Sequence, residues 1–564
     1  MGFFSFFKSS LRLGIEAFVL ILVITFIPGL PPDVKISEPY KITKAKLEGK
    51  LTPNGKLDNI EFLHKDLMHG PESLADDSKF IYTSVHMDGI VKLVGKHIVP
   101  LVKFGKPCKG VYQEGICGRP LGITFGQDGY LYAADAYYGI YKVDVNTGDK
   151  KQLVSVGKEI EGRKVKFPNS VAVGCNGDIY WTESSTDFSL QDGVFALLAD
   201  PSGRLIHYNA ESGKNTVLID KLHFGNGVIL SESEDFLLVA ETSRNRVLRY
   251  HLKGPKAGTS DIFLDGLPGM PDNIQTDGGS GFIVNLISEA NSKRPNLVQV
   301  FSQFPNVRKF FARSVALVQL AFRAINSVYP NKFAQQGVHF VGHLEPFALI
   351  LGRTIVLHVS QSGEILDSLW SGNNTVGHFC EAHIVKDQLY LGSPFNKYLG
   401  RVALSKIGWE HLKQKTDSLS AKKQICLKLK SNKKTDITKE APTTTTTPRP
   451  TTTTTPRPTT TTSRSTTTTT QKSATTTTST QKPTSTTPKP TAASIKPAVT
   501  TPKATTTKPV TTNSKAEQTD QVRRSAPPLE KPKVKEIPKS SLNSQGKVKS
   551  DSKESRAESR KNEL

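Results

Sequence analysis

The chain has 564 residues, a formal net charge of +23 and five cysteines, too long and too uneven in composition for one ordinary domain. From residue 431 onward it holds 25 Lys and Arg against 10 Asp and Glu, while the part before it holds 49 against 41, so most of the positive excess belongs to the tail. That placement argues against nucleic acid as a partner, which requires basic residues clustered on a folded face among stacking aromatics. The cysteines form no C-x-x-C pair and no Cys/His group at zinc spacing, which argues against a structural zinc of that kind.

Residues 1–12 read as a short cytoplasmic segment carrying Lys8 and Arg12, and residues 13–30 as an apolar span broken only by Glu16 and Thr25. The span is about the minimum length that crosses a hydrocarbon core. A cleaved signal peptide is the competing reading, but Thr25-Phe26-Ile27-Pro28-Gly29 is a poor small-residue cleavage site, so an uncleaved signal anchor is expected. Lys35, Lys41, Lys44 and Lys46 beyond the span oppose an amino-in orientation. The mucin-like composition of the tail outweighs them and points to a type II protein with its carboxyl side outside the cytosol.

Residues 31–410 read as the folded head, within which one phrase recurs between residues 56 and 404. Examples are KFIYTSVHMDGIVKLV, GYLYAADAYYGIYKVDV, GDIYWTESS, DFLLVAETSRNRVLRYHL, GFIVNLIS and QLYLGSPFNKYLGRVAL. Each alternates with period two and turns on Asp-Gly, Asn-Gly or Gly-Gly, the pattern of half-buried strands joined by tight turns. The first five start about 45 to 60 residues apart, near the period of four-stranded propeller blades. Six occurrences predict an all-β, six-bladed β-propeller, flanked by the transmembrane helix and a disordered mucin-like tail. Residues 307–329 read as an amphipathic helical insertion, and residues 354–359 as an outer strand. Cys108 and Cys117 bracket a short loop, KPCKGVYQEGICG, equally open to a disulfide or to two free thiols.

Several repeats carry a polar residue just ahead of the first strand of the phrase: Glu72 in HGPESLA, Asn169 in FPNSVAV, Asn226 in FGNGVIL, and Asp272 with Asn273 in MPDNIQ. Any one of these suits a turn former bonding its own backbone. Four loops in register, converging on one end of a propeller channel, instead gather carboxylates and amide oxygens about a point. Such a group needs a cation to offset repulsion and desolvation, and oxygen-only ligation selects calcium over zinc.

Taken together, GPES, CGRPLGI, FPNSVAV, FGNGV, MPDNI and LYLGS resemble the strictosidine-synthase-like propellers of the adipocyte plasma membrane-associated protein family, over about residues 51–407 plus the anchor. The resemblance implies a six-bladed propeller, a Cys108–Cys117 disulfide and a calcium cage of Glu72, Asn169, Asn226, Asp272 and Asn273, related to that of calcium-dependent paraoxonase-type hydrolases. Leu121 stands where those hydrolases place a histidine base. Glu381 in HFCEAH lies in the region of the plant synthase's catalytic glutamate and is the catalytic candidate, with Cys380 there instead if the register is off by one; His378 and His383 are its neighbours.

Residues 411–440 read as a linker, and residues 441–515 as a Thr/Pro-rich stretch, TTTTTPRPTTTTT and variants, too poor in apolar residues to order itself and suited to O-glycans. Asn373-Asn374-Thr375 is an N-glycosylation sequon. Residues 516–564 are a charged tail ending Lys-Asn-Glu-Leu, similar to an endoplasmic-reticulum retrieval signal, which leaves that compartment as the alternative to the plasma membrane. The expected protein is a surface glycoprotein bound through its glycans by lectins or microbial surfaces, with calcium-dependent ester hydrolysis by the head. An amine–aldehyde condensing enzyme of the strictosidine-synthase type is the alternative.

Overall fold

In the computed structural model, residues 2–347, 352–372, 376–414 and 416–439 are described, all within the first of two compact units, residues 1–449. The sequon at Asn373, the Thr/Pro-rich region and the charged tail with its Lys-Asn-Glu-Leu end lie outside the described residues.

An apolar helix spans Gly2–Phe26, with residues 6–26 long and apolar enough to cross a membrane. It therefore starts earlier and ends earlier than residues 13–30, because Pro28 and Gly29 cannot continue it. Glu16 is offset on the helix surface by Arg12 at 2.8 Å, one turn away.

The head consists of six four-stranded antiparallel sheets and one two-stranded pair among the described residues. The first sheet runs Leu74–Asp76, Ile81–Val85, Gly89–Val94 and His97–Val102 from the centre outward. The next four begin at Pro120–Phe125, Pro168–Val173, Gly225–Leu230 and Gly269–Thr276. Each first strand packs against the next, and Leu74–Asp76 also packs on Glu381–Val385, so the first strands close a ring. This is the arrangement of a β-propeller, which leaves only short sheet edges. The sixth sheet is built from both ends of the head: Glu61–Leu63 pairs with Leu399–Ala403, Glu61 opposite Arg401. Closure therefore needs the whole repeat array in place.

The recurring phrase falls on the second strand of each sheet and in four of them runs on into the third, as in Ile81–Val85 with Gly89–Val94. Second strands such as Phe236–Glu241 are buried throughout, rather than half-buried as their alternation predicts. The innermost strand precedes the phrase and is covered on both faces, Pro168–Val173 being buried at all six positions. Here the strands approach too closely for a side chain at some points. A Cβ on Gly227 would lie 2.5 Å from the carbonyl oxygen of Asp272 in the neighbouring inner strand. Gly227→Ala should lower the urea midpoint, with an unchanged slope, by an amount equivalent to about 1–3 kcal/mol.

The expected helical insertion is present as Pro305–Val328, followed by a shorter helix, Lys332–Gly342, both between the second and third strands of the fifth sheet. Ile355–Val359 is the strand expected at residues 354–359. The segment expected as a linker contains a helix, Ser418–Lys439, tied to the head by a Cys175–Cys426 disulfide. Cys108 and Cys117 are bonded to each other.

Candidate functional site

The residues expected on converging loops sit, apart from Glu72, inside the innermost strands. Pairing with the second strand shifts register between Pro168 and Val171, Gly225 and Val228, and Pro271 and Ile274. A bulge of this kind adds a residue and re-aims the side chains at it. Asn169, Asn226, Asp272 and Asn273 all lie in these bulges, a placement that alternation alone could not reveal. Glu72 lies just before Leu74–Asp76, its backbone N–H donating to the carbonyl of Ser84 at 3.0 Å.

All five are buried. The carboxyls of Glu72 and Asp272 and the thiol of Cys380 bring their ligand atoms within 4.8 Å of one another. Asn169 donates through Nδ2 to Ser184 Oγ at 3.0 Å, which leaves its Oδ1 buried without a partner; Asn226 Oδ1 is likewise unpartnered. Each such oxygen costs about 1–3 kcal/mol of desolvation unless something positive meets it. Asn273 turns its amide toward Cys380 Sγ at 3.8 Å, and its backbone N–H donates to the Cys380 carbonyl at 3.1 Å.

The electrostatics are those of carboxyls held too close together away from water. Burial, then the charge of Glu72, pushes the Asp272 carboxyl well above its usual range, with the Asn226 amide opposing. Burial pushes Glu72 up to about 7, offset by Arg119. Arg119, which sequence reasoning passed over, donates through Nη2 to Glu72 Oε2 at 3.0 Å and is itself buried. It occupies one oxygen of Glu72. Burial also pushes the Cys380 thiol up, so it stays neutral and is a poor ligand for a hard cation. Two carboxyls and two orphaned amide oxygens therefore fit calcium, and the residue between them does not spoil the fit.

Glu381 opens the innermost strand of the sixth sheet and faces the same channel. Burial raises its carboxyl well above the ordinary range, the charges of Asp272 and Glu72 adding to the effect and Gln275 favouring the ionised form. His383 does not serve it: its Nε2 meets Asp76 Oδ1 at 2.7 Å. His378 sits at a positive φ of 64° with its ring against Phe395. Cys380 and Glu381 thus divide the position left open between them, the thiol among the cage residues and the carboxyl farther along the channel.

A second polar cluster covers the cage end and was not legible in the sequence. Glu114 Oε1 meets His343 Nε2 at 2.8 Å and also accepts from Tyr137 Oη, while Glu114 Oε2 lies 3.4 Å from His86 Nδ1. His339 stacks on His343 at 4.3 Å and reaches Glu345 at 3.0 Å. Burial would raise the Glu114 carboxyl, but His343 and then His86 hold it well below the usual range. His86 is itself pushed down to about 4, chiefly by burial and then by Arg119. The histidines come from the short insert helix and from the end of the first sheet's second strand, remote in sequence.

The other end of the channel holds a cavity of about 710 Å³ lined by Ile123, Val171, Val228, Ile274, Glu381 and, from the C-terminal helix, Lys422. That helix crosses the channel end: Ser418 bonds Asp76, Lys422 reaches Glu234 at 3.3 Å, and Cys426 is joined to Cys175.

A family model described as strictosidine synthase matches residues 169–255, and one described as strictosidine synthase-like, N-terminal matches residues 49–93. The chain is 45% identical over 405 residues to the adipocyte plasma membrane-associated protein Hemomucin of Drosophila melanogaster, covering 70% of this chain and 69% of that one. It is 33% identical over 395 residues to the adipocyte plasma membrane-associated protein of Salmo salar, covering 69% and 88%. The human counterpart is 33% identical over 365 residues, covering 64% and 82%. Among solved structures, a gluconolactonase from Xanthomonas campestris is similar at 14% identity and a TM-score of 0.40, covering 67% of this chain and 98% of that one. The calcium-binding protein regucalcin from Agrobacterium tumefaciens is similar at 11% identity and a TM-score of 0.35, covering 60% and 92%.

Proposed function

Because the chain belongs to the adipocyte plasma membrane-associated protein family, within the strictosidine-synthase-like group, we propose that it is a type II membrane glycoprotein whose six-bladed head binds calcium and hydrolyses small esters. The Thr/Pro-rich region at residues 441–515 then carries O-glycans that lectins or microbial surfaces recognise, outside the cell, with the endoplasmic reticulum as the alternative residence. The anchor reading draws on the apolar helix at residues 6–26 and on relatives named for membrane association.

The observation that carries the head's function is the pair of buried, unpartnered amide oxygens of Asn169 and Asn226 beside the carboxyls of Glu72 and Asp272. Glu72, Asn169, Asn226, Asp272 and Asn273 would hold the calcium, which supplies Lewis acidity toward an ester carbonyl when bound. Glu381, its carboxyl raised by burial, would serve as a proton donor. His86, neutral at pH 7, stands at the cage end as a buried proton acceptor paired with Glu114.

The test is phenyl acetate hydrolysis by the purified full-length protein in detergent. Chelation should lower the rate by about 100-fold or more, and calcium should restore it. A folded, calcium-binding protein without hydrolysis reduces the head to a binding module. A condensing enzyme with Glu381 as base is the second reading, favoured by a buried carboxyl facing the channel cavity. It requires Glu381 ionised, which burial opposes, so the rate should rise with pH. Glu381→Gln should abolish condensation of an aryl-ethylamine with an aldehyde, and no product from the native protein ends that reading.

A further inference from the structure

The helical insert of the fifth sheet has two apolar sides and one missing partner. On the long helix, Pro305–Val328, Arg308, Ala312, Ala316 and Gln319 face inward and are buried against the head. Ala312 and Ala316 pack with Phe188, Phe195 and Leu198. On the opposite side, Phe304, Val307, Phe311, Val318, Ile325 and Val328 are exposed, Val328 at 87%. They stand three, four, seven, seven and three residues apart, starting at the N-cap Phe304, so they form a single stripe along a helix about 36 Å long. Phe333 and Phe340 of the following helix are also exposed, at 69% and 63%. An apolar area of this extent on a soluble surface marks a docking face.

Two further observations say what covers it. The insert is joined to the anchor helix: Arg313 Nη1 donates to the carbonyl oxygens of Ile24, Thr25 and Ile27 at 3.1, 3.0 and 2.7 Å. Those are the carbonyls that a helix end leaves unsatisfied, so a buried Arg of the insert caps the anchor where it ends. The charge is also one-sided. From residue 290 to residue 344 there are seven Lys and Arg and no Asp or Glu, with Lys309 and Lys332 on the long helix and at the start of the next.

We propose that this insert lies on the outer face of the bilayer that the anchor crosses, its exposed stripe seated among the lipid acyl chains and its lysines at the phosphates. The proposal rests on the anchor reading above. A helix end capped at Ile27 places Arg313 at the membrane surface, and the apolar stripe runs along the same helix on both sides of that point. Basic amphipathic helices bind in this way, the apolar side buried by about 5–10 Å. The short helix that carries Phe340 outward also carries His339 and ends at His343, which meets Glu114 at the cage end. The cage end of the channel therefore faces the lipid.

The experiment uses the full chain in phosphatidylcholine/phosphatidylserine vesicles, with an environment-sensitive dye on Val328→Cys, Phe340→Cys or Ser212→Cys. Ser212 is exposed on a turn between third and fourth strands, at the opposite end of the sheets; Cys380 is buried and the other cysteines are bonded. Brominated acyl chains should quench the dyes at positions 328 and 340 about twofold or more and leave position 212 within about a tenth of its signal. Unquenched dyes at positions 328 and 340 that stay open to an aqueous quencher overturn the proposal. Dyes shielded from both quenchers overturn it in favour of a second copy covering the stripe. Alkaline carbonate separates the two readings. Resistance to extraction with unquenched dyes leaves the anchor standing without the platform, whereas extraction with quenched dyes leaves the platform without a spanning anchor.

Discussion

In the Asp272→Asn protein calcium no longer raises the thermal midpoint, whereas in the native protein a hundredfold excess over the dissociation constant adds about 2.7 kcal/mol, roughly 3 °C. The substitution keeps shape and removes one of the two charges that a hard cation needs from this cage. Its effect without calcium has the opposite sign. The Asp272 carboxyl is raised by burial and by Glu72, and Glu72 is itself raised to about 7. A group whose folded value lies above its unfolded value contributes stability that is complete below the unfolded value and is lost as pH rises through the folded one. Calcium-free native protein should therefore lose stability from the ordinary carboxylate range up through about pH 7 and beyond. Asp272→Asn, which cannot titrate, should lose less and be the more stable protein in chelator at neutral pH. Calcium displaces the same protons, so its stabilisation of the native protein should grow with pH across that window. Scanning calorimetry at several pH values, with calcium and with chelator, reads all of these. A variant that keeps the calcium shift removes Asp272 from the cage.

Cys426→Ser in the full chain should cost about 3–5 kcal/mol, the second large effect. The Cys175–Cys426 bond closes 251 residues, whereas Cys108–Cys117 closes only nine. Loop-closure entropy gives the shorter loop about 2–3 kcal/mol, so the longer bond should matter more. Around the C-terminal helix the bond acts with Ser418 on Asp76, Lys422 on Glu234, Lys428 on Glu232, Lys430 on Gln127 and Leu419 against the core. Two results are expected in Cys426→Ser: a lower urea midpoint, and faster amide exchange over residues 418–431 as the helix leaves the channel end. Cys175→Ser should match it, and the double variant should be no worse than either. An unchanged midpoint with an intact helix would mean that packing alone holds this end closed.

Much of the architecture was legible in the residues themselves. The period-two phrases fall on strands and the insertion falls on a helix at Pro305–Val328, while the Cys108–Cys117 bond, which the residues left open and the family resemblance implied, is formed. The strands and the helix are local features, set by side-chain periodicity over a few residues. The innermost strands read as loops because bulges interrupt their pairing at Asn and Asp residues that look like turn formers.

By itself the sequence determined the apolar amino-terminal helix, the repeated strands, the oxygen-bearing residues and the composition of the tail, all of which depend on neighbours in the chain. Only the tertiary structure decided that Arg119 pairs with Glu72, that Cys380 stands between Glu72 and Asp272, that Cys175 finds Cys426, and that Arg313 caps the helix ending at Phe26. These contacts join residues from 47 to 308 positions apart. They exist because a ring of sheets closed between Glu61–Leu63 and Leu399–Ala403 brings each inner strand to the same axis, and no local pattern in the chain records which residues then meet.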